Sequence, residues 1–298
     1  MALEIHPFTT KEAWLSMRAN DLTSTEVAVL FGKSPYQTLP ELWDAKRSGE
    51  ITILEENERM FWGTQLQDAI AHGAAIRNGW EIRLMSEYAR LPEERLGASF
   101  DYEVSLRDGT KGILEIKNVD YLQFKKEWVD DDQGLQAPVH IEFQLQHQMM
   151  LTGAQTAYIC ALVAGNSLVT IARSADPEVQ GAIRYKAAEF WKSVDAGEAP
   201  PLDFVRDADF ILSKYREVVP KKTVDVRGVM GIREAALAYT DLGEQVKALN
   251  VQRDGAKAQI VSLMGDAELA LGADFKVTSK ATKSGRSALV TWKSEEQQ

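Results

Sequence analysis

The spacing of apolar positions changes several times along the chain. Residues 10–19 read as a short helix capped by Thr9 or Thr10. Thr23–Leu30 reads as a second helix, with Thr23 or Ser24 as cap and Glu26 in its first turn. GKSPYQT (32–38) is a loop, and Leu39–Arg47 is a helix that opens with Pro40 and stops at Ser48-Gly49. Over Glu55–Asn78 the apolar residues Met60, Trp62, Leu66, Ile70 and Ala74 recur at near-helical spacing, and Gly79 closes that helix. The period then shortens to two. Strands are expected at Trp80–Ala89, 97–106 and 111–118, with a turn at Arg107-Asp108-Gly109. Asp130–Asp132 with Gly134 reads as an acidic loop, and Ile141–Thr152 as a helix ending at Gly153. Gln155–Ala164 and Ser167–Arg173 form a hairpin about Gly165-Asn166, and Asp176 caps a helix running to Ala196 with Pro177 in its first position. Helix, three strands, helix, two strands is the order of an α/β core with a mixed central sheet flanked by helices.

Beyond Val218 the pattern fades. Residues 218–231 read as a polar linker between a first domain, 1–217, and a C-terminal helical module with a short β-hairpin, 232–298, suited to oligomerisation or to docking a partner. Ile232–Leu271 carries an imperfect coiled-coil-like stripe, including Leu237, Leu242, Val246, Leu249, Ile260, Leu263 and Met264. Residues 274–293 alternate as short strands around Lys283-Ser284-Gly285.

Charge sharpens this division. The net charge of −10 over 298 residues comes from the part before Pro220, and the remainder is slightly basic. Such a balance argues against a general basic coat for nucleic acid, yet leaves room for a metal-dependent nuclease with a narrow basic track. No apolar run is long enough for a transmembrane helix, and MALEIHPFTTKEAW lacks the features of a signal peptide. The single cysteine, Cys160, sits in YICALVA and is expected to be buried and inert; one cysteine cannot hold an iron–sulfur cluster or a CxxC zinc site. A reducing cytoplasm fits.

The candidate chemistry lies in GASFDYEVSLRDGTKGILEIK, residues 97–117. Glu115 and Lys117 are two apart in a strand and share a face, and a hairpin brings Asp101 alongside. Two carboxylates and an ammonium at a sheet edge suit a divalent-metal site for phosphodiester hydrolysis. Alone, D-x13-E-x-K is a weak signal, equally the mark of an exposed charged ladder.

Three further segments, in order, add specificity: Trp14-Leu-Ser-Met-Arg18 followed by LTSTEVAVLFGKSPYQT, MFWGTQLQDAI (60–70) and FQLQHQMMLTG (143–153). With Asp101 and Glu115-Ile116-Lys117, the chain resembles the YqaJ-type viral recombinases, which group with lambda exonuclease in the PD-(D/E)xK nuclease superfamily. The resemblance spans roughly residues 12–195. It implies a restriction-endonuclease-like core and a Mg²⁺-dependent deoxyribonuclease, with Mn²⁺ as a substitute, that digests one strand of linear double-stranded DNA 5′→3′ to feed recombination. It implies Asp101, Glu115 and the carbonyl of Ile116 as metal ligands, Lys117 beside the attacking water, and Gln144 as a residue orienting the nucleophile or a phosphate. The family's helical Glu is here Gln67, which leaves three readings: Gln67 serves through water, Asp68 or His72 takes its place, or a second metal is held weakly. Arg18, with Ser24 and Thr25, is implied as the binder of a terminal 5′-phosphate. A homo-oligomeric ring, a single-strand annealing partner, no membrane, and the cytoplasm (of a bacterial host, if phage-encoded) follow from the same resemblance. A structure-specific endonuclease and a catalytically weak DNA-binding scaffold remain the alternatives.

Read by position alone, Lys125 and Lys126 are potential DNA-backbone contacts with Trp128 as a wedge or a buried anchor. Lys33, Ser34, Pro35 and Tyr36 form a loop expected beside the phosphate pocket. Gln146 should diverge from Gln144, His147 and Gln148 should face solvent, and Met149, Met150 and Leu151 should be core.

Overall fold

The chain divides into two units, Met1–Val218 and Val219–Gln298. A computed structural model describes residues 2–8, 10–49, 51, 56–132, 134–283 and 285–293. Thr9, Glu55 and Ser284 lie outside the described residues.

The first unit begins with β1 (Glu4–Pro7), α1 (Lys11–Ala19) and β2 (Leu22–Thr23), then a short 3₁₀ helix, Val27–Phe31. Thr10 caps α1 by accepting from the Ala13 N–H at 3.2 Å. The helix expected over Thr23–Leu30 is replaced by strand, turn and 3₁₀ turn. Thr23 joins a sheet, and the Glu26 carboxylate accepts from both its N–H and its hydroxyl. Next come α2 (Leu39–Ser48) and α3 (Glu58–Asn78), the latter capped by Asn57.

The strand expected over Trp80–Ala89 is two strands, β3 (Glu81–Leu84) and β4 (Glu87–Leu91). The one expected over 97–106 likewise splits into β5 (Leu96–Ser99) and β6 (Tyr102–Ser105). Each pair changes sheets at its break. β4 and β5 sit in a four-stranded sheet ordered β1-β4-β5-β2, and β3 and β6 in a five-stranded one. The registers explain the corner. Leu84 faces Tyr102 and Tyr88 faces Ser99, so three residues on one side of the ribbon oppose two, Phe100 and Asp101, on the other. That mismatch is a β-bulge, which bends and twists the ribbon.

The five-stranded sheet runs β11-β10-β7-β6-β3, with β7 (Lys111–Val119), β10 (Thr156–Val163) and β11 (Ser167–Ser174). β7 pairs parallel with β10 and antiparallel with β6, so the sheet is mixed. Between β7 and β10 lie α4 (Tyr121–Glu127), a small hairpin of β8 (Val129–Asp131) and β9 (Gly134–Gln136), and α5 (Val139–Thr152). The expected acidic loop is thus largely that hairpin. α6 (Pro177–Ala196) and α7 (Ala208–Lys214) complete the unit.

Alternation along β7 sorts its side chains. Leu114 and Ile116 pack with Ile70, Ala71 and Ala74 of α3, while Ile113 joins Leu145 and Met149 of α5 on the other face. Glu115 and Lys117 share the Ile113 face and therefore look toward α5. Cys160 is fully buried.

The second unit holds α8 (Ile232–Met264), which ends seven residues before the expected Leu271 because Gly265 takes a positive φ. A three-stranded sheet follows, from β12 (Leu269–Leu271), β13 (Phe275–Thr278) and, after the two-residue strands β14 (Ala281–Thr282) and β15 (Gly285–Arg286), β16 (Leu289–Trp292).

Candidate active site

β7 outruns β6. Their pairing stops at Tyr102 and Leu114, so the main chain of β7 beyond Leu114 presents a bare edge on that side. The bend in the ribbon turns Asp101 into this gap. One of its carboxylate oxygens accepts the Ile116 N–H at 2.8 Å, and the other accepts Gln67 Nε2 of α3 at 3.1 Å. Strand geometry aims the Ile116 carbonyl at the same edge as its N–H.

Glu115 is buried, and α5 encloses it with amides. Gln144 Nε2 donates to Oε1 at 2.7 Å and Gln148 Nε2 to Oε2 at 2.9 Å. Lys117 Nζ donates to Glu115 Oε1 at 2.6 Å and to Gln144 Oε1 at 3.3 Å. Gln144 and Gln148 reach one carboxylate because residues four apart share a helix face. Gln146 points away, to the Ser174 carbonyl and the Asp176 N–H.

The cluster is electrostatically underpaid: two carboxylates share one ammonium. Burial and the Glu115 charge push the Asp101 carboxyl up from 3.8 to about 7, against the pull of Lys117 and the Ile116 N–H. Burial works to lower the Lys117 ammonium, but Glu115 and Asp101 outweigh it and hold Lys117 above its ordinary range. Among the described residues no three His, Cys, Asp or Glu side chains are grouped to hold an ion. Hard oxygen donors beyond the two carboxylates would have to be the Ile116 carbonyl and the Gln67 amide, whose oxygen and nitrogen exchange by a simple flip. A divalent cation matches this corner: it would offset the uncompensated negative charge that holds the Asp101 proton.

Asp68 lies one residue off this face and accepts from the Tyr102 hydroxyl. His72 is exposed, with Nδ1 on the Asp68 carbonyl. Neither makes the contact to Asp101 that Gln67 makes.

A second cluster forms around Arg18, half-buried on α1. Its guanidinium donates to Thr23 Oγ1 at 3.3 Å and Thr25 Oγ1 at 3.2 Å and lies 4.4 Å over the Trp14 ring. The nearby acids have other partners. Asp21 pairs with Arg90 at 2.8 Å and accepts from Tyr88, while Glu26 pairs with Lys46 at 2.9 Å. Gly97 leaves the room for this, since a Cβ there would strike the Tyr88 hydroxyl and Asp21. Among the described residues Arg18 has no ion-pair partner. Ser24 does not join this cluster. It is buried, and its hydroxyl meets His147 Nδ1 at 3.2 Å. The helix N-terminus expected at Ser24 and Thr25 is also absent, because the following turn starts at Val27.

His147 and Gln148, expected at the surface, are fully buried. Burial depresses the His147 imidazole to about 3, so it is neutral. Gln148 was legible only as part of a Gln-rich helix, yet it joins the two clusters. Arg18 lies on Trp14, whose indole N–H donates to Ser99 Oγ at 2.6 Å. The Ser99 carbonyl in turn accepts from Gln148 Nε2 at 3.1 Å, the nitrogen that also serves Glu115. Trp128 is no wedge: it is buried and stacked on Phe124. Lys125 and Lys126 are exposed on α4, the former over the Tyr121 ring. Tyr36 is 80% exposed and meets His140 edge-on at 5.6 Å, and burial and then the Lys117 charge lower the His140 imidazole, so the 32–38 loop borders the carboxylate cluster. His140 went unnoticed in the sequence, where nothing marks it.

The sequence signature of the YqaJ-like viral recombinase domain matches residues 13–155, the stretch that carries both clusters. Residues 13–155 are a YqaJ-like viral recombinase domain. The chain is 28% identical over 283 residues to uncharacterized protein YqaJ of Bacillus subtilis (strain 168), across 93% of this chain and 85% of that protein. Among solved structures it is similar to LHK-Exo, an alkaline exonuclease from Laribacter hongkongensis, in its complex with dAMP. The TM-score is 0.50 at 19% identity, over 69% of this chain and 98% of the other. The first unit thus has a mixed α/β, restriction-endonuclease-like fold, similar to that of LHK-Exo. Among the described residues no helix is long and apolar enough to cross a membrane.

Proposed function

We propose that the chain is a Mg²⁺-dependent DNA exonuclease that degrades one strand of linear duplex DNA from a 5′ end and leaves single strands for recombination. The observation that carries this reading is the corner where Asp101, Glu115 and Lys117 meet. It lies in a viral recombinase domain whose fold is that of an alkaline exonuclease.

Asp101, Glu115, the Ile116 carbonyl and a flipped Gln67 amide would hold the ion. When bound, Mg²⁺ supplies a Lewis acid that activates water and offsets charge on the phosphorane. Lys117, held protonated by Glu115, places a positive donor beside the attacking water. Gln144 fixes Lys117 through its amide oxygen. Gln148 holds the far oxygen of Glu115 and so keeps the carboxylate plane from rotating. Arg18 and the exposed Thr25 hydroxyl suit a terminal phosphate, whose charge no neighbouring acid would contest. Lys125 can add a backbone contact. A ring of several copies would keep such an enzyme on its DNA, a single-strand annealing protein would take its product, and the cytoplasm would be the setting for both.

The test compares wild type, Lys117→Ala and Arg18→Ala on circular duplex, blunt 5′-phosphorylated duplex and blunt 5′-hydroxyl duplex, with Mg²⁺, Mn²⁺ or EDTA. Wild type should digest the linear DNA only, and only with metal. Lys117→Ala should lose at least about a thousandfold in rate while still binding DNA. Arg18→Ala should lose about ten- to a hundredfold on 5′-phosphorylated ends alone. Cutting of circles would favour an endonuclease. No product with either metal would favour a DNA-binding scaffold, the reading that Gln67 in place of Glu motivates.

A further inference from the structure

The helix α8 runs for 33 residues, and Met264 alone among its side chains is buried. Most of its apolar residues fall on positions spaced alternately by three and four, a stripe broken at Arg253, with Leu237 and Val251 lying off it. One set is Ile232, Tyr239, Val246, Arg253 and Ile260; the other is Ala235, Leu242, Leu249, Ala256 and Leu263. These are the a and d positions of more than four heptads, and Tyr239, Leu242, Val246, Leu249 and Leu263 are all exposed. Gly243 and Gly255 lie inside the helix, where each costs about 1 kcal/mol relative to Ala, so α8 needs packing to persist at this length.

We infer that α8 forms a parallel two-stranded coiled coil with α8 of a second copy of this chain. Ile232, Val246 and Ile260 at a, with Leu242, Leu249 and Leu263 at d, follow the pairing of β-branched a with Leu d that favours two parallel strands. The flanking residues fit a copy of the same sequence. The g positions are Ala238, Gln245, Gln252 and Gln259, and the e positions Ala236, Gly243 and Asn250, with Lys257 the lone charge before the buried Met264. In a parallel pair Lys257 faces a glutamine, so like charges do not oppose one another at the flanks. A foreign helix selected by charge would need a complementary row of charges, and this face has none. Acids and bases such as Glu234, Asp241, Glu244 and Lys247 lie on the outer face, where Lys247 pairs with Glu244 at 2.7 Å. Arg253 interrupts the seam at one a position. A single polar residue there selects register at some cost in stability, and its long stem lets the guanidinium reach water. The inference is independent of the nuclease reading.

Cross-linking of the full chain tests it. Cys160 is buried, so a single introduced cysteine reports the contact. Leu242→Cys, at d, should join most chains into disulfide-linked dimers under mild oxidation. Leu237→Cys, on the outer face of the same turn, should not. In an antiparallel pair the two 242 positions would stand about 18 Å apart, too far to bridge. Adding Leu249→Asp to the Leu242→Cys chain should cut dimer yield at least about tenfold, because it buries a charge in the seam. Equal yields at 237 and 242, no link at 242, or a link that survives Leu249→Asp would each overturn the proposal, including the case in which copies associate only through the YqaJ-like unit.

Discussion

The two charged clusters of the YqaJ-like domain are opposites. Around Asp101, two carboxylates are served by one ammonium and a set of neutral amides, and the surplus is negative. Around Arg18, each acid has its own base, Asp21 with Arg90 and Glu26 with Lys46, and the surplus is positive. Pairing some charges and starving others of partners makes one pocket that attracts a cation and another that attracts an anion. Trp14, Ser99 and Gln148 join them through contacts that carry no net charge. What a site attracts is set as much by which neighbours are neutralised as by which residue is exposed.

Breaking the pairing beside Arg18 should have the largest effect. Lys46 is nearly buried, and Lys46→Met leaves Glu26 without its base and the Asp21 and Arg18 carbonyls without a donor. Urea unfolding should show a loss of about 3 kcal/mol. The freed Glu26 should then compete for Arg18 and erase any preference for 5′-phosphorylated ends. Adding Glu26→Gln should recover much of that preference; if the single variant keeps it, the opposition between the clusters is not what selects the anion.

A smaller change should follow at the link. Gln148→Leu removes the one nitrogen shared by Ser99 and Glu115. Digestion should slow by about ten- to a hundredfold and stability should fall by about 1–2 kcal/mol, with end preference kept. A changed end preference with unchanged rate would reverse the assignment of Gln148 to the carboxylate side.

The mildest test is pH. With Asp101 at about 7, Mg²⁺ must displace its proton, so affinity measured by calorimetry should tighten by up to about tenfold per unit between pH 5.5 and 7 and level off above. The metal-free protein should respond oppositely. A carboxyl raised above its unfolded value binds protons more tightly in the native state, so its stabilising contribution is complete below about 4 and is lost as pH rises through about 7. Thermal melts with EDTA should therefore lose stability from this group over that range. Mg²⁺ affinity that does not change with pH would show that Asp101 is no ligand.

Glu115 and Lys117 could be placed on one face from the sequence because strand alternation is strict, and the turn at Gly109 was marked by composition. The break at Asp101 was not, since FDYEV reads as continuous strand and only the opposing residues, 85–87, reveal the mismatch. His147 and Gln148 were misjudged because Gln-Leu-Gln-His-Gln looks like a solvated helix face, and polar residues in a core are visible only once Glu115 and Ser24 are there to bind them. Ser24 was drawn to the phosphate pocket by the resemblance, as a hydroxyl beside Thr25 at an expected helix N-terminus, although the backbone turns it inward toward His147. Tyr36 and His140 come together from distant segments, and no local pattern connects them.

The bulge opposite Phe100 and Asp101 makes chain length itself a determinant at this corner. Dropping one residue from 85–87 would equalise the two sides of the ribbon and slide every side chain beyond it to the opposite face. A change of length at the tip, 107–109, would leave these registers as they are, whereas the gain or loss of one residue in the segment facing Asp101 would not.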